Sequence, residues 1–407
     1  MKKTLPLLLV SWLLTGCAIA TPPPAGPAYQ GLEPRGSGDF HLVVMGDTRP
    51  WCDGPDIVTQ NEYFRGNIER ANASAADFTV IVGDLICGRT DDAALIAKEW
   101  DAYDKMCRNF KMPYISVIGN HDVWNPLSQQ IYRRRYGLEY FSWNHKGCHF
   151  IALDSEIPGQ QGRITGEQLQ WLKEDLAEAT SARRIFVFLH APLWTWPPDA
   201  NQKDNAWNRD VHPLLAAAGV DTVFAGHTHQ YALYPARDGV RYLITGGGGA
   251  ELRGGYALAG EFFHFVDVSV KDRTVNLKVV TADGMLPADV VTPEKIAAAQ
   301  QSLQVESAEL LPNENRLAIR LHVKNPTGQE ARAVVTWNTA GTPWQGDKAE
   351  IRLTPSGEGV LEIEAKTAKV LHPLPKATVE LFAGSKKLFG WPLPLEALIQ
   401  AKPTATP

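Results

Sequence analysis

The stretch Tyr114-Ile115-Ser116-Val117-Ile118-Gly119-Asn120-His121-Asp122 runs from an apolar segment straight into a carboxamide, an imidazole and a carboxylate. A short β-branched run bounded by glycine reads as a buried strand, which leaves the three polar side chains in the loop at its C-terminal end. The same construction recurs: Leu42 to Met45 leads into Gly46-Asp47-Thr48-Arg49, Phe78 to Val82 into Gly83-Asp84, and Ile185 to Leu189 into His190. A fifth segment, Gly226-His227-Thr228-His229, adds two more imidazoles. In an open α/β sheet the C-terminal edge of the strands is where ligands bind.

Helical stretches alternate with these strands. Asn61 to Ala76 precedes the strand at Phe78, and Gly166 to Glu178 places Leu169, Leu172 and Leu176 on one face after a strand at His149 to Leu153. Tyr140 to Trp143 and Cys148 to Leu153 flank a turn-like Asn144-His145-Lys146-Gly147, as a hairpin would. The reading is a layered α/β sandwich over residues 39–290. Thr292-Pro293-Glu294 then starts a linker helix within 291–302. Beyond it the pattern becomes strand-like at Gln304 to Leu310, Arg316 to Val323, Ala331 to Trp337, Ala349 to Leu353, Val360 to Ala365, Ala377 to Phe382 and Lys387 to Trp391. Short strands at this spacing predict a second domain over 303–395, an all-β sandwich of immunoglobulin-like or fibronectin-like outline, and a tail over 396–407. It carries no catalytic cluster, since His322 and His372 stand alone.

The 407 residues are 44% hydrophobic and 21% charged, enough apolar material for two or three domains with real cores. A net charge of -5 argues against nucleic-acid binding, which relies on clustered cations, and Arg133-Arg134-Arg135 reads as a solvated helix face. Lys2 and Lys3 precede the apolar run Leu5 to Leu14, too short to span a bilayer and flanked like a secretory signal. Leu14-Thr15-Gly16-Cys17 resembles a bacterial lipobox, which implies a signal peptide over 1–17, cleavage before Cys17 and a lipid anchor on its thiol. Ala18 favours the outer membrane, facing the periplasm, and the Pro/Gly-rich 18–38 reads as a tether.

Carboxylates, a carboxamide oxygen and imidazoles in one set favour transition metals such as Mn, Fe or Zn. Each segment alone is weak: Asp47 fits a turn, and His-x-His occurs without metals. Their conjunction is specific. Four cysteines remain besides Cys17, which makes disulfides the expectation in an oxidising compartment. If Asp47 and Asp84 meet at one centre, Cys52 and Cys87 are neighbours and bridge, leaving Cys107 and Cys148 to pair by remainder; the alternative makes Cys87 a thiolate ligand. Trp194 and Trp196, just after His190, read either as an aromatic wall for a leaving group or as loop packing. Gly246-Gly247-Gly248-Gly249 lacks a P-loop ending and reads as close backbone passage beside the site.

Together these residues resemble the calcineurin-like metallophosphoesterase superfamily, over roughly Phe40 to Ala282. The resemblance implies that Asp84 bridges two metal ions, with Asp47 and His229 completing the first site and Asn120, His190 and His227 the second. It implies hydrolysis of a small phosphorylated substrate by a metal-activated hydroxide, with His121 donating a proton or holding the phosphoryl group. Asp122 is expected to orient His121, or else to brace its loop. One position departs from the family pattern: Arg49 stands where an imidazole ligand is common, and a guanidinium does not bind metals. Purple acid phosphatases place a tyrosine where Cys87 stands. The expectation is that water fills the gap and that Arg49 is a phosphate clamp or an ion-pair partner. The expected function is a phosphomonoesterase, then a phosphodiesterase or nucleotide pyrophosphatase. The reading from another class is a non-catalytic envelope binding protein with a degenerate metal site.

Overall fold

The computed structural model describes residues 32–33, 38–195, 205–368 and 371–400. The expected lipobox Cys17, the signal peptide and Trp196 lie outside them. In chain order the first domain contains β1 (Phe40–Met45), α1 (Glu62–Ser74), β2 (Phe78–Val82), α2 (Ala93–Cys107), β3 (Tyr114–Val117), α3 (Pro126–Tyr136), β4 (Phe141–His145), β5 (Cys148–Ala152), α4 (Gly166–Glu178), β6 (Ile185–Phe188), α5 (His212–Ala217), β7 (Val220–Ala225), β8 (Tyr231–Arg237), β9 (Val240–Thr245), β10 (Phe265–Lys271), β11 (Thr274–Thr281) and β12 (Gly284–Pro287). They form two six-stranded sheets, ordered β12-β11-β10-β1-β2-β3 and β4-β5-β6-β7-β9-β8. The strands β1, β2 and β3 run parallel, as do β5, β6, β7 and β9.

The apolar runs are continuous because each central strand is covered on both faces. In β1, Leu42 and Val44 enter the core between the sheets with Phe78, Phe150, Phe186, Phe188 and Phe224. Their neighbours Val43 and Met45 point the other way, against Phe64, Ile68, Trp100 and Tyr103 of α1 and α2. The second sheet buries Ile151, Val187 and Val223 against Leu172, Leu176 and Leu215 of α4 and α5. The result is a four-layer helix–sheet–sheet–helix stack. The expected hairpin joins β4 to β5 by Lys146 and Gly147, both at positive φ, the conformation a two-residue turn requires. The tether is pinned before its end: Leu32 packs on the inter-sheet core and the Glu33 N–H donates to His145 Nδ1 at 3.0 Å.

The linker helix is α6 (Pro293–Gln300), N-capped by Thr292, whose side chain accepts from the Lys295 N–H. After it come β13 (Leu303–Leu311), β14 (Arg316–Lys324), β15 (Ala331–Asn338), β16 (Trp344–Gly346), β17 (Glu350–Leu353), β18 (Glu358–Thr367), β19 (Lys376–Ala383) and β20 (Lys386–Leu393), closed by α7 (Leu395–Gln400). Two four-stranded antiparallel sheets, β13-β14-β18-β16 and β17-β15-β19-β20, enclose a separate core around Leu317, Ile319, Leu361, Val379 and Leu381. The sequence reading finds seven of these strands and misses β16, whose three residues follow the turn formers Gly341, Thr342 and Pro343.

Candidate metal centre

Parallel pairing of β1 with β2 sets Met45 opposite Ile81, so Asp47 and Asp84 leave the sheet edge level with each other. Backbone bonds keep them so beyond the strands, from Asp47 N–H to Gly83 C=O at 3.0 Å and from Arg49 N–H to Asp84 C=O at 2.9 Å. From the second sheet, Gly226 N–H donates to His190 C=O at 2.9 Å, and the His227 N–H donates to Asp47 Oδ2 at 2.8 Å. The glycines are there for close approach: a Cβ on Gly83, already at φ +82°, would sit 2.5 Å from the His190 ring, and one on Gly226 2.4 Å from Asp47 Oδ2. The tetraglycine passes alongside, Gly248 N–H bonding Gly46 C=O at 2.8 Å.

Six side chains expected as ligands converge here. Ligand atoms of Asp47, Asp84 and His229 lie within 4.8 Å of one another, with His229 Nε2 3.4 Å from Asp47 Oδ1. Beside them, His190 Nε2 is 3.1 Å from Asp84 Oδ1 and 3.1 Å from Asn120 Oδ1, and His227 Nδ1 is 3.0 Å from that Asn120 oxygen and 3.2 Å from His190 Nε2. His190 donates its Nδ1–H to the Val82 carbonyl at 2.9 Å. Its Nε2 therefore faces two oxygens that accept and have no proton to give. Such an arrangement holds only around positive charge. Donors roughly 2.0–2.2 Å from one ion stand about 3 Å apart, which is the spacing seen.

The electrostatics agree. Burial, then the charge of Asp84, pushes the Asp47 carboxyl well above its usual range. Burial acts on Asp84 too, yet His190, His121 and Arg49 hold it well below. Burial would lower His190, but Asp84 and Asp47 carry it up to about 10, so the carboxylates favour positive charge at the cluster. A metal ion between these groups supplies that charge.

His121 lies at the margin, its Nε2 3.8 Å from Asp84 Oδ2. Its Nδ1–H is held by the Cys87 carbonyl at 2.7 Å, not by Asp122. The expected orienting role of Asp122 is thus corrected: its Oδ1 accepts from the Leu85 and Ile86 N–H groups at 2.9 and 3.2 Å and its Oδ2 from Gly119 at 2.7 Å, so it braces the two loops. Burial pushes the His121 imidazolium down to about 4, with Asp84 opposing and Arg49 adding to the fall.

Arg49 is 4% exposed and forms a two-pronged ion pair with Glu251, Nη1 to Oε2 at 2.9 Å and Nη2 to Oε1 at 3.0 Å. Its Nε, 3.7 Å from Asp84 Oδ2, has no hydrogen-bond partner among the described residues. Of the two expectations for this residue, the geometry displays the ion pair. Glu251 also receives the His229 Nδ1–H on its main-chain carbonyl at 2.7 Å, so it holds both the arginine and a candidate ligand. Sequence reasoning missed Glu251 and the Cys87 carbonyl, and no motif marks either one.

The expected Cys52–Cys87 bridge is present, with Cα atoms 5.6 Å apart, and it removes Cys87 from the possible ligands. The expected Cys107–Cys148 bridge is absent, and both thiols are free and buried. Cys107 ends α2 in the outer helix layer while Cys148 faces the inter-sheet core, so the β1-β2-β3 sheet stands between them. Trp194 is also corrected: it is 6% exposed and packs on Trp207, Tyr234 and Tyr242, as core and not as a stacking wall. The Arg133 to Arg135 run is spent partly on ion pairs, Arg133 with Glu139 at 2.5 Å and Arg135 with Asp101 and Asp104 at 2.6 and 2.5 Å.

The calcineurin-like phosphoesterase family model matches residues 38–231. Serine/threonine-protein phosphatase CPPED1 of Danio rerio is 30% identical over 258 residues, 55% of this chain and 82% of that protein. Purple acid phosphatase 22 of Arabidopsis thaliana is 24% identical over 226 residues, 51% of this chain and 48% of that protein. Tartrate-resistant acid phosphatase type 5 of Rattus norvegicus is 27% identical over 172 residues, 36% of this chain and 51% of that protein. A solved dimetal phosphatase from Danio rerio aligns with 61% of this chain and 98% of its own at a TM-score of 0.44 and 15% identity. The chain spans about half the length of the plant and rat relatives. With its ligand loops on two facing sheet edges and a relative matched over most of its length, the chain belongs to the calcineurin-like phosphoesterase family.

Proposed function

We propose that the chain hydrolyses phosphate monoesters at this centre. The observation that carries the reading is the convergence of Asp47, Asp84, Asn120, His190, His227 and His229 around a demand for positive charge. Asp47, Asp84 and His229 would hold one Mn, Fe or Zn ion, and Asp84, Asn120, His190 and His227 a second. Such ions, when bound, acidify a water and neutralise phosphoryl oxygens. The protein's own groups do the rest. The carbonyls of Val82 and Glu251 fix the tautomers of His190 and His229, aiming Nε2 of each into the cluster. The Cys87 carbonyl likewise aims His121 Nε2 toward the cluster, where it can hand a proton to a leaving oxygen. A bound phosphoryl anion raises the proton affinity of His121 against the burial that lowers it. The Arg49–Glu251 pair keeps a cation beside Asp84 without spending it on a ligand position.

The cell-envelope assignment belongs to the same proposal. It is supported by the lipobox-like segment ending at Cys17 and by a disulfide of the kind oxidising compartments preserve. Among the described residues no helix is long and apolar enough to cross a membrane. Loss of fatty-acid labelling in Cys17→Ser tests the anchor.

The activity test reconstitutes purified protein separately with Mn, Zn and Fe and measures one aryl phosphate monoester and its matched diester, with Asn120→Ala as control. Monoester turnover that vanishes in the control is the expected result. Faster diester turnover makes the chain a phosphodiesterase, and silence with every metal leaves a binding protein.

A further inference from the structure

Five large hydrophobic side chains are exposed among the described residues, and two of them are tryptophans in loops that carry site residues. Single exposed apolar side chains are ordinary and need no explanation. The placement of these two does. Trp51, 45% exposed, follows Arg49 by two positions, but its ring is committed: the N–H bonds the Gly249 carbonyl at 3.2 Å and the indole lies parallel to Tyr63 at 6.2 Å. Trp124, 53% exposed, follows Asp122 by two positions, and the group set against it is the Arg89 guanidinium, 4.9 Å from the ring centroid.

Arg89 and His121 share an anchor. The Cys87 carbonyl that accepts His121 Nδ1–H also accepts the Arg89 backbone N–H at 2.7 Å. A Cβ on the intervening Gly88 would lie 2.0 Å from the His121 carbonyl oxygen, so the two loops touch there. Asn125 ties them again, its Nδ2 donating to Asp91 Oδ1 at 2.6 Å. Trp124 and Arg89 therefore stand on the two loops that hold His121, the residue that would protonate the departing oxygen, and those loops are tied together by hydrogen bonds. An exposed indole partnered by a guanidinium offers a flat, electron-rich face and a planar cation, and both stack on rings.

We infer that Trp124 and Arg89 form the leaving-group subsite and that it takes a planar aromatic ring, so the substrates are aryl or nucleoside phosphates. The inference rests on the phosphoesterase reading for its orientation. An aromatic wall, one of the two sequence readings of Trp194 and Trp196, is on this inference supplied by the loop after His121.

Two measurements on the purified full chain separate the subsite from the reaction. In calorimetric titrations, benzylphosphonate and methylphosphonate share a phosphoryl group that cannot be hydrolysed and differ by a ring. The wild type is expected to bind the benzyl compound about tenfold more tightly. Trp124→Ala should level the two, Trp124→Phe should keep most of the preference, and Arg89→Ala should lose about two- to threefold of it. In parallel, kcat/KM for adenosine 5′-monophosphate should exceed that for ribose 5-phosphate in the wild type and match it in Trp124→Ala. Equal affinities in the wild type, binding of neither compound, or a ring preference that survives Trp124→Ala overturns the subsite. Ring-blind hydrolysis leaves a phosphoesterase without this subsite. A ring preference in binding with no ester hydrolysed under any metal overturns the phosphoesterase reading instead.

Discussion

The loop edge of the first domain and the strand-rich second domain handle backbone strain in opposite ways. Ten described non-glycine residues have positive φ, and four of them are Asp47, Asp84, His227 and His229, all side chains of the candidate centre. The sandwich has two, Asn315 and Ser356, both in turns between strands. A left-handed conformation costs a residue with a Cβ about 1–3 kcal/mol and persists only where the surroundings over-determine it. In the sandwich the cost falls on turns, where it is small and local. At the centre it falls on the residues that must point inward from two sheets at once. The contrast separates a domain built to hold a site from one built on a relaxed core.

The largest test of that contrast is Asp84→Ala. Asp84 contacts both halves of the centre, so its loss should lower hydrolysis by roughly a thousandfold, about 4 kcal/mol of barrier. Bound metal, measured by elemental analysis, should fall with it, while hydrogen-exchange protection of β13 to β20 stays at the wild-type level. A sandwich that loosens as well would show that the two domains share their stability.

The disulfide comes next. Cys52 and Cys87 are 35 residues apart, and closing such a loop restricts the unfolded chain by about 3–4 kcal/mol. The double variant Cys52→Ser with Cys87→Ser should unfold its first domain at lower denaturant, and the slope of the sandwich transition should not change. It should also slow hydrolysis, since the Cys87 carbonyl holds His121.

Acid should strike the same domain first. Burial pushes His264 down to about 4, where its Nδ1–H is bonded to the Phe262 carbonyl at 2.8 Å. Because the folded value lies below the unfolded one, the contribution is complete above about pH 6.5 and is lost as the pH falls from there toward 4. It amounts to about 3 kcal/mol at most. His322 and His372 of the sandwich are not buried. Chemical denaturation between pH 7 and pH 5 should destabilise the first domain more than the second, and His264→Gln should reduce the difference.

The smallest effect is the sharpest comparison. Ser356→Gly, at φ +54° on the sandwich surface, should raise that domain's stability by about 0.5 kcal/mol and leave turnover alone. The same exchange at Asp84, at φ +53°, removes a candidate ligand, and hydrolysis should disappear with it.

The candidate ligands were legible because they stand in local patterns: an apolar strand, a glycine, then a donor at Asp47, Asp84, Asn120 and His227, with His190 directly after its strand and His229 two positions after His227. Strand period and glycine chemistry act over a few residues, so the segments could be picked out before any contact was known, and the family resemblance implied Asp47, Asp84, Asn120, His190, His227 and His229 within them. Alternation in the last third likewise predicted a sandwich, and Thr292 a helix start. What the sequence left open depends on how two sheets pack. Arg49 and Glu251 are 202 positions apart, and no local rule pairs them. Whether Asp122 touched His121 or the backbone of the neighbouring loop depended on the register of β2 against β3. Cys107 and Cys148 were matched by arithmetic and kept apart by a sheet between them. Trp194 and Trp124 are the same side chain near two site histidines, and only the layering of the fold buried one and left the other facing solvent. Local chain geometry chose the residues, and long-range packing chose their partners.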